Sequence, residues 1–151
     1  MKLIEDIRLT RNFMLSEFAC NDKEKSVKIF MPHILTLQDF IYYLEAKRYA
    51  YIQCHITSGY RTEEYNQRLV DLKKASPNSQ HPKAKASDCK FYEVSHMKEP
   101  VQIPPIEIYK YAIDFGQFTG IGVYNTFNHL DNRIASDIPN GKTYSQWDER
   151  G

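Results

Sequence analysis

His129, Asp131 and Arg133 alternate along the segment His129-Leu130-Asp131-Asn132-Arg133. On an extended strand alternate residues share a face, so an imidazole, a carboxylate and a guanidinium point the same way in steps of about 6 to 7 Å. Such a row is costly to bury without partners. It is therefore either solvated or assembled around something. Earlier in the chain stand His81 and Asp88, seven residues apart. The odd offset keeps them off one face of a regular strand, so His81 is expected in the loop entering a strand, or a bulge intervenes, with Asp88 inside the strand. Two imidazole nitrogens and one carboxylate oxygen with an open fourth position form the donor set of a catalytic zinc site rather than a structural one. With five histidines in the chain, such a pairing also arises by chance. On residue types alone, ordinary surface polar residues remain the other reading.

The elements that must carry these groups are visible in outline. After Pro32, Ile34, Leu37, Ile41 and Leu44 recur at helical steps. From Tyr51 to Thr57, Ile52, Cys54 and Ile56 alternate as on a half-buried strand. Thr62 is a suitable N-cap, with Glu63 and Glu64 in the first turn of a second helix ending near Lys73 and Lys74. A second strand is expected over 84–91, and a loop over 93–102. Pro104-Pro105 opens a third helix whose inward residues are expected to be Ile106, Tyr109, Ile113 and Phe118, with Gly116 ending it. Strands over 121–124 and 127–133 follow. The remainder, 134–151, is polar except for Ile138, Tyr144 and Trp147. Interspersed helices and strands with hairpin-like links predict an α+β domain, a mostly antiparallel sheet flanked by helices. No linker or repeat divides 1–151, which reads as a single domain.

Composition removes several function classes. The 151 residues carry a net charge of +1, so there is no broad attraction to nucleic acid or anionic lipid. Apolar residues are 42% and charged residues 26%, which excludes a disordered tail or fibrous repeat. No apolar run is long enough to span a bilayer. The opening MKLIEDIRLTRNF places acidic residues where a secretory signal has its apolar core. Three cysteines, Cys20, Cys54 and Cys89, argue for reduced thiols in or near the core rather than a disulfide framework. Synthesis in the cytoplasm follows as an expectation. His55 reads as a structural or solvated residue, and His33 and His96 as surface residues.

Taken in order, Leu15-Ser16-Glu17-Phe18-Ala19-Cys20, Ile56-Thr57-Ser58-Gly59-Tyr60-Arg61 with Asn66, Ser79-Gln80-His81 through Ala86 and Asp88, Gly120-Ile121-Gly122-Val123-Tyr124, Phe127, His129-Leu130-Asp131-Asn132-Arg133 and Trp147 resemble the zinc D-Ala-D-Ala carboxypeptidase family. That family shares its fold with the hedgehog signalling domain and includes bacteriophage lysins. The resemblance runs from Leu15 to about Trp147.

The resemblance implies zinc, held by His81, Asp88 and His129. It implies that Arg61 holds substrate or polarises the scissile carbonyl. Asp131 matches the acid after the last ligand and is the expected general base, because Thr126 and Asn128 stand where some branches place one. Tyr124 is a further candidate, as hydrogen-bond donor to the developing oxyanion. The implied activity is hydrolysis of peptidoglycan stem peptides, as carboxypeptidase or endopeptidase, by a monomer acting at the bacterial cell wall if a lysin. The alternative is a metal-containing wall-binding module or phage structural component without turnover. Three departures bear on the choice. Ala84 replaces a family glycine between the first two ligands, Asn128 and Asn132 replace apolar residues and suggest a less buried strand back, and the 91–104 loop is individual to this chain.

Overall fold

The structure, a computed structural model, describes residues 5–151; the first four residues of the N-terminal reading lie outside the described residues. The helices are α1 (Met31–Arg48), α2 (Glu63–Asp71) and α3 (Pro105–Phe115). The strands are β1 (Tyr51–Ser58), β2 (Ala86–Val94), β3 (Val101–Gln102), β4 (Gly120–Val123), β5 (Asn128–Asp131) and β6 (Ser145–Asp148). The expected α+β architecture is the one observed. The sheet runs β1-β2-β5-β4-β6, with β3 paired to β2. All its pairings are antiparallel except that of β4 with β6.

Period two along the strands divides the sheet into two chemically different faces. One is apolar and is covered by α1 and α3: Ile52, Cys54, Cys89, Phe91, Ile121 and Leu130 pack with Ile34, Leu37, Phe40, Ile41, Leu44, Ile108 and Ala112. The intervening residues Asp88, His129 and Asp131 take the other face. All three cysteines are buried free thiols. Thr62 caps α2 by accepting from the Tyr65 N–H (3.1 Å), as its position implies. Gly116 ends α3 in the left-handed region, φ 72°. No described helix is long and apolar enough to cross a membrane.

Four details depart from the sequence reading. The second strand continues to Val94, and the expected loop contains β3, because Tyr92 and Glu93 pair with Gln102 and Val101. Helix α3 is rotated from the expected face: Ile108 and Ala112 are fully buried, while Ile106, Tyr109 and Ile113 are half-buried. The polar tail supplies β6, whose parallel pairing with β4 gave no apolar alternation to read. The back of β5 is not less buried, since Asn128 is 1% exposed and donates to the carbonyls of Pro105 (2.9 Å) and Gly122 (3.3 Å).

His33 is a correction of its own. It is buried, not on the surface, because the first turn of α1 lies over the polar residues Ser87 and Asn132 on the helix-covered face. Asn132 Nδ2 donates to the Gln117 carbonyl (3.3 Å), leaving Oδ1 as an acceptor for His33 Nδ1–H (2.6 Å). His33 Nε2 then accepts from the Ser87 hydroxyl (2.8 Å). The ring is thus neutral in the fold, and burial lowers its pKa from 6.5 to about 4. Between those values the unfolded chain binds a proton that the folded one refuses, so stability falls as pH falls through the window. The effect reaches about 3 kcal/mol by the lower end. Denaturant unfolding of metal-stripped wild type and His33→Gln from pH 7 to pH 4 checks this. The wild type should start as the more stable, and its advantage should shrink by about that amount; a constant gap would contradict the account.

Candidate metal centre

His81 opens a one-turn 3-10 helix (His81–Lys83) closed by Ala84 at φ 59°, ψ 19°. The left-handed backbone explains why a glycine suits this position, and alanine there costs about 1 kcal/mol. The loop nonetheless closes: the Ala84 N–H bonds the His81 carbonyl (3.0 Å), and the Arg61 N–H bonds the same oxygen (3.3 Å). His81 Nδ1 lies 2.6 Å from the Gly59 carbonyl, which can only accept, so Nδ1 carries the proton and Nε2 offers its lone pair. Gly59 itself has no room for a side chain, because a Cβ would come within 2.7 Å of the Phe18 backbone.

Asp88 and His129 face each other across β2 and β5 in the same register position. Asp88 Oδ1 lies 3.1 Å from His129 Nδ1 and 3.4 Å from His81 Nε2. The other imidazole nitrogen, His129 Nε2, lies 2.7 Å from Asp131 Oδ2. Asp131 is completely buried, and Arg133 clamps it through Nε (2.9 Å to Oδ1) and Nη2 (2.6 Å to Oδ2). Gly120 leaves the space this carboxylate occupies, since a Cβ there would overlap the Asp131 side chain. Each histidine is thus held at its far nitrogen by an acceptor, with its near nitrogen turned toward Asp88.

The charges are strongly coupled. For Asp88, burial alone would raise the pKa, but His81 and His129 outweigh it and hold the carboxyl well below its usual range. Burial acts to lower the pKa of His129, yet its bonds to Asp131 and Asp88 raise it to about 9. Burial keeps His81 below its ordinary value despite Asp88. Asp131 is held low, with the cost of burial overcome by His129 and Arg133.

His81, Asp88 and His129 can serve one ion, for each offers a ligand atom and these atoms all lie within 4.8 Å of one another. Two imidazoles and a carboxylate with their outer partners in place suit a divalent metal with an open position. The three residues line a cleft of about 360 Å³ with Arg61, Tyr124 and Trp147. Arg61 reaches Asp88 Oδ2 (3.4 Å), Asn66 Oδ1 (3.3 Å) and Ser58 Oγ (3.2 Å). Trp147 donates from Nε1 to the Tyr124 phenol oxygen (3.0 Å), and its ring lies 5.0 Å from that of His129.

The family model described as peptidase M15 matches residues 11–131. The chain belongs to the peptidase M15 family. These are metallopeptidases of the zinc D-Ala-D-Ala carboxypeptidase type, as the sequence resemblance implies. No curated protein and no solved structure gives a significant match.

Of the candidate residues of this M15 chain, the structure brings His81, Asp88, His129, Arg61 and Tyr124 to one cleft. Asp131 is the exception. Its oxygens are taken up by His129 and Arg133 in a sealed position behind the ligand, which places it outside the cleft lining and beside the outer nitrogen of His129. Sequence reasoning missed the Gly59 carbonyl, a backbone atom with no residue-type signal. It also missed the clamp by Arg133, although the same-face spacing of 129, 131 and 133 contained it.

Replacing Asp131 by Asn separates a role as general base from one in orienting His129. An amide that donates to Nε2 would turn the Nδ1 proton toward the metal position. Metal affinity should then fall about 10- to 100-fold, read by competition with a chromophoric chelator. Unchanged affinity with lost turnover would identify Asp131 as the base.

Proposed function

We propose that this M15 peptidase is a zinc enzyme hydrolysing peptide bonds in the stem peptides of bacterial peptidoglycan. The observation that carries the reading is the convergence of His81, Asp88 and His129 in an open cleft, with each imidazole's outer nitrogen already committed. Zinc held there would supply the Lewis acidity that acidifies a water and polarises a carbonyl.

The chain's own residues have distinct tasks. Arg61 is anchored by Ser58 and Asn66 and presents a guanidinium beside Asp88, where it can orient a substrate carbonyl or carboxylate. The Tyr124 phenol is pushed above its ordinary pKa by burial, against the opposing bond from Trp147, and therefore stays protonated near neutral pH. Because its oxygen already accepts from Trp147, its O–H is free to donate to a developing oxyanion; one such donor is worth roughly 3 kcal/mol. Asp131 and Arg133 keep His129 in the ligating tautomer.

The alternative, a wall-binding module without turnover, rests on Ala84 and on the lack of a base at Thr126 or Asn128. Ala84 no longer argues for it, since the ligand loop closes with alanine in the left-handed conformation. Action at the cell wall, in the manner of a lysin, belongs to the same proposal.

Elemental analysis and a wall-digestion assay test the reading together. The purified protein should bind about one equivalent of zinc, and His81→Ala should lose it. Purified sacculi should release new amino groups with the zinc-loaded protein, none after chelation, and release them again when zinc is restored. Protein that binds sacculi but frees no amino groups with zinc present would establish the non-catalytic module instead.

A further inference from the structure

With Asp131 sealed behind His129, the cleft still needs a group to accept a proton from water. We propose that Glu149 is that proton acceptor, presented to the cleft from the strand edge formed by β6. The inference rests on the peptidase reading above and adds a residue to it. Glu149 lies beyond the 11–131 match, so membership of the family assigns it nothing.

The carboxylates facing the cleft are those of Asp88 and Glu149. Asp88 is committed to both imidazoles and to Arg61. Glu149 is exposed, and its side chain makes no ion pair among the described residues. Its backbone is nonetheless pinned, because parallel pairing of β6 with β4 continues one residue past the strand through Glu149 N–H to the Val123 carbonyl (2.8 Å). Alternation then sends Ser145, Trp147 and Glu149 to the same side, and all three line the cleft. Asp148, on the opposite side, is occupied by Arg150. The Tyr124 phenol, raised first by burial, is raised further by the charges of Asp88 and Glu149, which agrees with a carboxylate close to that phenol.

As the water oxygen bonds to the scissile carbonyl carbon, Glu149 removes one of its protons. As the C–N bond breaks, Glu149 returns that proton to the leaving nitrogen. One water and one amide become one carboxylic acid and one amine, and the carboxylate is regenerated.

The test compares zinc-loaded wild type, Glu149→Gln, Glu149→Asp and the outward-facing control Asp148→Asn on a peptidoglycan stem peptide from pH 5 to pH 9. Glu149→Gln should lose about 100-fold or more in kcat across that range with bound zinc unchanged. Glu149→Asp should recover part of the rate, and Asp148→Asn should match wild type. A second readout needs no turnover. Trp147 is the sole tryptophan, so its fluorescence follows ionisation of the bonded Tyr124 phenol, whose midpoint should fall in Glu149→Gln. A Glu149→Gln protein within about threefold of wild type in kcat overturns the proposal, as does an unmoved Tyr124 midpoint. A zinc-loaded wild type that cleaves nothing overturns the peptidase reading itself, a result distinct from a working wild type equalled by its variant.

Discussion

The register between β2 and β5 is the constraint on which the site depends. It sets Asp88 directly opposite His129 on the face away from the helices, while Cys89 and Leu130 go into the core. A slip of one residue would exchange the faces, sending a carboxylate and an imidazole under α1 and α3. The apolar core therefore does more than hold the sheet together. By demanding Phe91, Leu130 and Ile121 on its own side, it obliges the intervening polar residues to meet on the other.

Those polar residues are expensive to gather. A buried carboxylate next to a buried imidazole survives only if its remaining hydrogen-bonding capacity is met. Here it is: Arg133 saturates Asp131, Asp131 occupies one nitrogen of His129, and the Gly59 carbonyl occupies one nitrogen of His81. Glycines make the geometry possible by leaving space. Gly120 admits the Asp131 carboxylate, and Gly122 admits the Trp147 indole, which a Cβ would approach within 2.5 Å. The helix-covered side mirrors this economy, with His33 satisfying Ser87 and Asn132.

Much of this was legible in the residues. The helix after Pro32, the strand at Ile52, Cys54 and Ile56, and the cap at Thr62 follow from local periodicity and local hydrogen bonding, and those forces act within a few residues. His81 in a loop and Asp88 in a strand followed from their odd spacing. Less visible were features that depend on distant partners. His33 reads as a surface residue in the sequence because nothing near it shows that Ser87 and Asn132 will lie beneath it. Strand β6 escaped notice because it packs Trp147 against the β4 glycine rather than alternating apolar residues.

The amino-acid sequence alone determined the α+β class, the family, and the three metal-binding candidates, because those properties reside in residue identity, order and short-range pattern. Tertiary structure decided which carboxylate is sealed behind His129 and which faces the cleft. Asp131 and Glu149 are the same functional group. Only the packing of Gly120, Arg133 and the parallel β6 edge tells the sealed one from the open one, since the environment of a carboxylate is built by segments far apart along the chain.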